Sequence, residues 1–179
     1  MYEAAQAAMV VIDVQGRLAG LMHRKKHLYK HLQIMLRAAA ILDIPVFWLE
    51  QYPKGLGPTI DELQALLKGQ KPLHKLSFSG CGDLDLVNSI RSTGRQQLIV
   101  TGIETHVCVY QTVMDLLAEQ FQVAVNQDAV SSRTKSNKRL GLQRMQQAGA
   151  LLTSTEMVLF EMMRSARHPA FKQISALLK

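Results

Sequence analysis

The sequence predicts an α/β protein with a Rossmann-like three-layer α/β/α architecture and a central parallel sheet of five or six strands. Two observations carry this prediction. Short, nearly uninterrupted apolar runs alternate with longer stretches whose apolar residues recur at helical spacing. The runs lack polar alternation, so each strand needs cover on both faces, which helices packed on a parallel sheet provide. The 179 residues suit a single domain, 1–179, large enough to bury a core without disulfides.

Each element follows in order. Ala7 to Ile12 reads as a buried strand ending at Asp13. Leu28, Leu32, Met35, Leu36 and Ala39 mark the apolar stripe of a helix. Pro45 to Leu49 is a second strand. Thr59 with Glu62 predicts a capping box, opening a helix that stops at Gly69. The stretch from Lys71 to Gly82 has no clear periodicity. Asp83 and Asp85 suit the first turn of another helix, closed near Gly94. Gln97 to Thr101 is a third strand, and Tyr110, Val113, Met114 and Leu117 mark the helix after it. Phe121 to Val125 is a fourth strand. A basic helix over 135–148 ends at Gly149. Ala150 to Leu152 is a short last strand. Thr153 and Glu156 predict a second capping box before the helix with Met157, Phe160 and Met163. A final helix after Pro169 buries Phe171, Ile174 and Leu178.

Composition excludes several classes of function. No apolar run approaches the ~20 residues that span a bilayer, so no membrane partner is expected. The N-terminus lacks the basic start and apolar stretch of a signal peptide, which makes the cytoplasm the expected location. Cys81 and Cys108 are too few for a disulfide framework and read as thiols. The net charge of +7 gathers at Arg24, Lys25, Lys26 and Lys30, and again at Arg133, Lys135, Lys138, Arg139 and Arg144. These runs read as solvated helix faces. No zinc-finger spacing or RNA-binding signature accompanies them, so no specific nucleic-acid partner is expected.

Function in an open parallel sheet sits at the carboxyl ends of the strands. Asp13 directly follows the first strand, Cys108 stands at the start of the helix after the third, and Lys75 lies in the irregular segment between. A thiol becomes a strong nucleophile as thiolate, which a helix N-terminus and a nearby ammonium both favour. Asp13 is placed to take the thiol proton and return it to a leaving group. Backbone amides at the same helix start can hold an oxyanion. Cys81 reads as structural.

The local sequences resemble a known family. Val11-Ile12-Asp13-Val14-Gln15, Lys75-Leu76-Ser77-Phe78-Ser79 and Val100-Thr101-Gly102-Ile103-Glu104-Thr105-His106-Val107-Cys108-Val109 look like the three motifs of the isochorismatase-like cysteine hydrolase superfamily, in order. Glu50 to Gly57, Asp128 to Arg133 and Arg144 to Ala150 are similar to its isochorismatase-domain-containing subgroup. The resemblance implies hydrolysis of an amide or related bond of a small molecule. It implies Cys108 as nucleophile, Asp13 as general base and acid, and Lys75 as the group that stabilises the thiolate and orients the other two. It further implies a cis peptide at Ile103–Glu104, with the Glu104 and Cys108 amides forming an oxyanion hole. Gln15, Gln51, Tyr52 and Phe78 are expected to line the pocket, and the chain is expected to form a homo-oligomer. The alternative is a catalytically idle metabolite-binding or scaffold protein of the same fold. Nicotinamidases of this superfamily carry an Asp-x-His metal motif, where this chain has Glu50-Gln51-Tyr52-Pro53. No cofactor and no catalytic metal are therefore expected. His23, His27 and His31, at four-residue spacing, read as a solvated helix face.

Overall fold

The computed structural model describes residues 1–82 and 85–179. Strand β1 (Ala7–Ile12) is buried along its whole length. Met9 and Val11 face one apolar core and Ala8, Val10 and Ile12 the other, so both sides of the strand select apolar residues. Asp13 then takes a left-handed conformation (φ 53°), which Asp tolerates better than most residues, and the strand ends. After the short α1 (Gly16–Gly20), α2 (Lys25–Ile41) buries the expected stripe of Leu28, Leu32, Met35, Leu36 and Ala39.

β2 (Val46–Gln51) pairs in parallel with β1 and leads into α3 (Pro53–Leu56) and α4 (Asp61–Gln64). The capping box expected at Thr59 does not form. Thr59 is buried, with its hydroxyl accepting from Trp48 Nε1 at 2.7 Å and donating to Glu50 Oε1 at 2.9 Å. A side chain engaged with the core cannot cap a helix, and α4 starts after Ile60 and spans only 4 residues. The segment expected to be irregular contains a strand, β3 (Leu73–Lys75), parallel to β2. Three residues are too few to show a period, which is why the pattern conceals it.

α5 (Asp85–Ser92) has Asp85 in its first turn, while Asp83 lies outside the described residues. β4 (Gln97–Ile103) and β5 (Gln122–Ser131) are longer than their apolar centres. Between them α6 (Cys108–Ala118) buries Val109, Thr112, Val113 and Leu116, a face turned from the expected Tyr110–Met114–Leu117 stripe and sharing only Val113 with it. α7 (Lys135–Gln147) is capped by Thr134, which accepts from the Asn137 amide at 3.2 Å. β6 (Leu151–Thr153) precedes α8 (Thr155–Met163). Ser154, not Thr153, caps α8, accepting from the Met157 amide at 3.1 Å. Met163 is buried there, but Met157 and Phe160 are exposed. In α9 (Phe171–Leu178), Ile174 is fully buried and Phe171 and Leu178 are partly so.

All six strands run parallel in the order β3-β2-β1-β4-β5-β6. α2, α8 and α9 cover one face, and α5, α6 and α7 the other. From β1 the chain builds outward to β2 and β3, then returns to place β4 on β1's other side. The crevice of such a sheet opens where the order reverses, between β1 and β4. Asp13 and the segment leading to Cys108 leave the sheet at this point. Ile12 pairs with Gly102, where a Cβ would overlap the Ile12 backbone, and the φ of +116° also favours glycine. No side chain therefore separates the two strand exits.

Candidate active site

Three elements deliver the three candidate side chains. Asp13 follows β1, Lys75 ends β3 and Cys108 begins α6. Lys75 sits two strands from Asp13, and its long side chain spans the end of β2 to reach it. Its Nζ donates to Asp13 Oδ2 at 2.7 Å, to Gln51 Oε1 at 2.7 Å, and lies 3.0 and 3.2 Å from the carbonyls of Phe78 and Ser77. The ion pair is almost wholly buried, with side-chain exposures of 4% and 2%. Such a pair withstands desolvation only when its remaining hydrogen-bonding capacity is met, and here four acceptors surround the ammonium.

The Asp13 carboxylate is asymmetric. Oδ2 takes Lys75, whereas the buried Oδ1 makes no well-formed hydrogen bond among the described residues. The Cys108 thiol lies beside this carboxylate, which acts on it through its charge. Burial raises the Asp13 pKa above the usual carboxylate value, against the opposing pull of Lys75. Burial likewise pushes the Cys108 thiol up to about 12, and the negative charge of Asp13 adds to this, while Lys75 and the Glu104 amide pull it down. At rest Cys108 is therefore a neutral thiol beside the Asp13 carboxyl group. The Lys75 ammonium is engaged by Asp13, Gln51 and the loop carbonyls.

The expected cis peptide is present at Ile103–Glu104. The Glu104 amide points at the Cys108 thiol, and its carbonyl accepts from the Val107 and Val109 amides at 3.0 and 3.2 Å. The Cys108 amide, first in α6, has no protein acceptor among the described residues. Gln15 is fully buried: Nε2 donates to the Gln51 and Gly57 carbonyls, and Oε1 accepts from the Gln51 amide at 2.7 Å. It ties the end of β2 to the loop at Gly57. Tyr52 and Phe78 are 50% and 55% exposed on the segments flanking Lys75.

Some supporting contacts escaped sequence reasoning. Thr112 Oγ1 donates to the Cys108 carbonyl at 2.7 Å and accepts from the Gly80 amide at 2.8 Å. Ser79 Oγ donates to Asp115 Oδ2 at 2.5 Å. These contacts bind α6 to the loop whose carbonyls hold Lys75. The signal available in sequence was Thr112, one helical turn after Cys108. Arg133, read as part of a solvated basic run, donates from Nε to Glu104 Oε1 at 2.9 Å.

The histidine helix also gains a partner that sequence spacing hid. Asp128 of β5 comes within 4.0 Å of both His27 and His31. Burial lowers the pKa of both rings. Among the described residues, no group of His, Cys, Asp and Glu is arranged to hold a metal ion. Glu50, which stands where the nicotinamidase motif begins, directs Oε1 to the Thr59 amide and hydroxyl. Cys81 is buried, with its thiol pushed up to about 12 by burial.

Comparison with known proteins agrees with this fold. The isochorismatase domain family matches residues 7–157. Isochorismatase domain-containing protein 2 of Danio rerio is 38% identical over 96% of this chain and 86% of its own length. The solved structure of the MAR1 ribonuclease from Caenorhabditis elegans superposes with a TM-score of 0.92 at 35% identity, covering 99% of this chain and 91% of that one. The Escherichia coli YcaC gene product, described as an octameric hydrolase of unknown specificity, shares the fold with a TM-score of 0.93 at 24% identity over 99% of this chain and 88% of its own. Family match, identity and fold coincide on the segments that build the Asp13–Lys75–Cys108 cluster, and the chain belongs to the isochorismatase domain family.

Proposed function

We propose that this protein is a metal-independent cysteine hydrolase acting on an amide, or a related C–N or ester bond, of a small molecule. The observation that carries the reading is the cluster itself: the half-buried Cys108 thiol beside a buried carboxylate whose Oδ1 has no hydrogen-bond partner among the described residues, with Lys75 fixed on Oδ2. Cys108 is the nucleophile, Asp13 the general base and acid, and Lys75 the cation that holds Asp13 in place.

Asp13 takes the thiol proton as the sulfur attacks the carbonyl carbon and the S–C bond forms. The charge that develops on the carbonyl oxygen is held by the Glu104 and Cys108 amides. Asp13 passes the proton to the leaving nitrogen as the C–N bond breaks, leaving a thioester. Water then gives a proton to Asp13 and adds to the carbonyl carbon. The C–S bond breaks and sulfur recovers the proton. A carboxylate with a raised pKa is a stronger base and suits this shuttle. Gln51, Tyr52 and Phe78 would contact the substrate. No step calls for a cofactor. Two free cysteines suit a reducing compartment, and we place the protein in the cytoplasm.

The test uses p-nitrophenyl acetate as a generic acyl donor and mass spectrometry of the Cys108 peptide. Wild type should form a hydroxylamine-labile acetyl thioester on Cys108 and release it. Cys108→Ala should form none, and Asp13→Asn should acylate about 10²-fold more slowly or worse. Acylation in Asp13→Asn at the wild-type rate would sink the mechanism. Absence of any Cys108 adduct would instead favour the idle metabolite-binding or scaffold reading.

A further inference from the structure

An oxyanion donor is useful only if it is held where charge develops. Glu104 is 8% exposed, and each of its polar parts is engaged or aimed. Its carbonyl receives the Val107 and Val109 amides at the start of α6, and its own amide faces the thiol. Its carboxylate turns to Arg133, with Oε1 accepting from Nε at 2.9 Å and from the Arg133 backbone amide at 3.2 Å. The carboxylate is therefore occupied by Arg133. Arg133 lies just beyond β5, so the contact joins the exits of two adjacent strands. Two further bonds run alongside: the Thr105 amide to the Ser131 carbonyl at 2.9 Å, and His106 Nδ1 with Ser132 Oγ at 3.0 Å.

A carboxylate this buried is costly unless paired. A charge-assisted, two-point grip adds direction as well as attraction. The Arg133 side chain is 57% exposed, so core packing does not explain its contact.

We propose that the Glu104–Arg133 pair is a positioning device that holds the Glu104 backbone amide at the oxyanion site, which makes Arg133 a positioning residue for acyl transfer. This rests on Cys108 being the nucleophile. Acyl transfer develops an oxyanion, whereas alkylation of the same thiol by iodoacetamide is a direct displacement and develops none. The two reactions therefore separate positioning from general damage.

The experiment measures acetylation of Cys108 by p-nitrophenyl acetate and its alkylation by iodoacetamide, both on the Cys108 peptide. Arg133→Ala should slow acetylation by about tenfold, the loss of one charge-assisted hydrogen bond, and leave alkylation within about twofold. Glu104→Ala should behave alike, and the double variant should lose no more than either single one. Glu104→Gln, which keeps the acceptor, should retain most of the acetylation rate. The proposal is overturned if Arg133→Ala acetylates at the wild-type rate, if both reactions fall equally, or if the two losses multiply. Failure of the underlying reading looks different: Cys108 of the wild type would then resist acetylation, or Asp13→Asn would leave it unchanged.

Discussion

The Cys108 thiol is pushed up to about 12 because burial and the Asp13 carboxylate outweigh the pull of Lys75 and the Glu104 amide. It therefore keeps its proton at neutral pH, and in the proposed mechanism loses it in concert with attack. This has a consequence for stability. A folded-state value above the ordinary 9.0 means that the folded protein binds this proton more tightly than the unfolded chain does. The contribution is complete below the ordinary value and is lost as pH rises toward 12. Cys81, also pushed up to about 12 by burial, acts in the same direction. We expect the melting temperature to fall between about pH 9 and pH 11, and to fall less steeply in Cys108→Ser. The same slope in both proteins would argue that the thiol is not held neutral by the fold. Asp13 and Cys108 were legible as candidate site residues because one directly follows a strand and the other opens a helix. The charge state of the thiol was not legible, since it depends on burial and on the partner Lys75 selects.

At the scale of elements, α6 and the loop after β3 act as one unit. Thr112 links them through the Cys108 carbonyl and the Gly80 amide, and Ser79 adds the bond to Asp115. Thr112→Val keeps the shape but leaves the Gly80 amide without its acceptor. We expect a loss of about 1–3 kcal/mol in denaturant unfolding, the cost of an unsatisfied buried donor. Because the loop carbonyls also hold Lys75, acylation of Cys108 should slow as well. Unchanged stability and acylation would show that the loop is held by other contacts. Strand β3 belongs to the same scale. Its three residues carry no readable period, and only pairing with β2 makes them a strand. The Thr59 and Thr153 capping boxes failed for a related reason. Thr59 was drawn into a buried network with Trp48 and Glu50, and Ser154 stood one residue nearer the helix than Thr153.

For the whole molecule, the sheet order places the site at the β1–β4 reversal and leaves several apolar side chains uncovered. α9 buries its Ile174 within the chain. Leu151 of β6 and Met157 and Phe160 of α8 remain exposed at the other sheet edge. We expect sedimentation velocity to give a homo-oligomer, with charged substitutions at Leu151 and Met157 shifting it toward the 20.0 kDa monomer. A wild-type monomer at micromolar concentration would contradict this.

The sequence by itself determined the parallel α/β class, both helical layers and the places of Asp13 and Cys108, because strand burial and helical stripes are local patterns. It located Lys75 only through a motif, with no strand beneath it. Tertiary structure decided the rest: which acceptors surround the Lys75 ammonium, that Gln15 braces a loop, and that Arg133 leaves its basic run to hold Glu104. These are contacts between residues distant in sequence. Their partners are chosen by strand order and register, which no local pattern encodes.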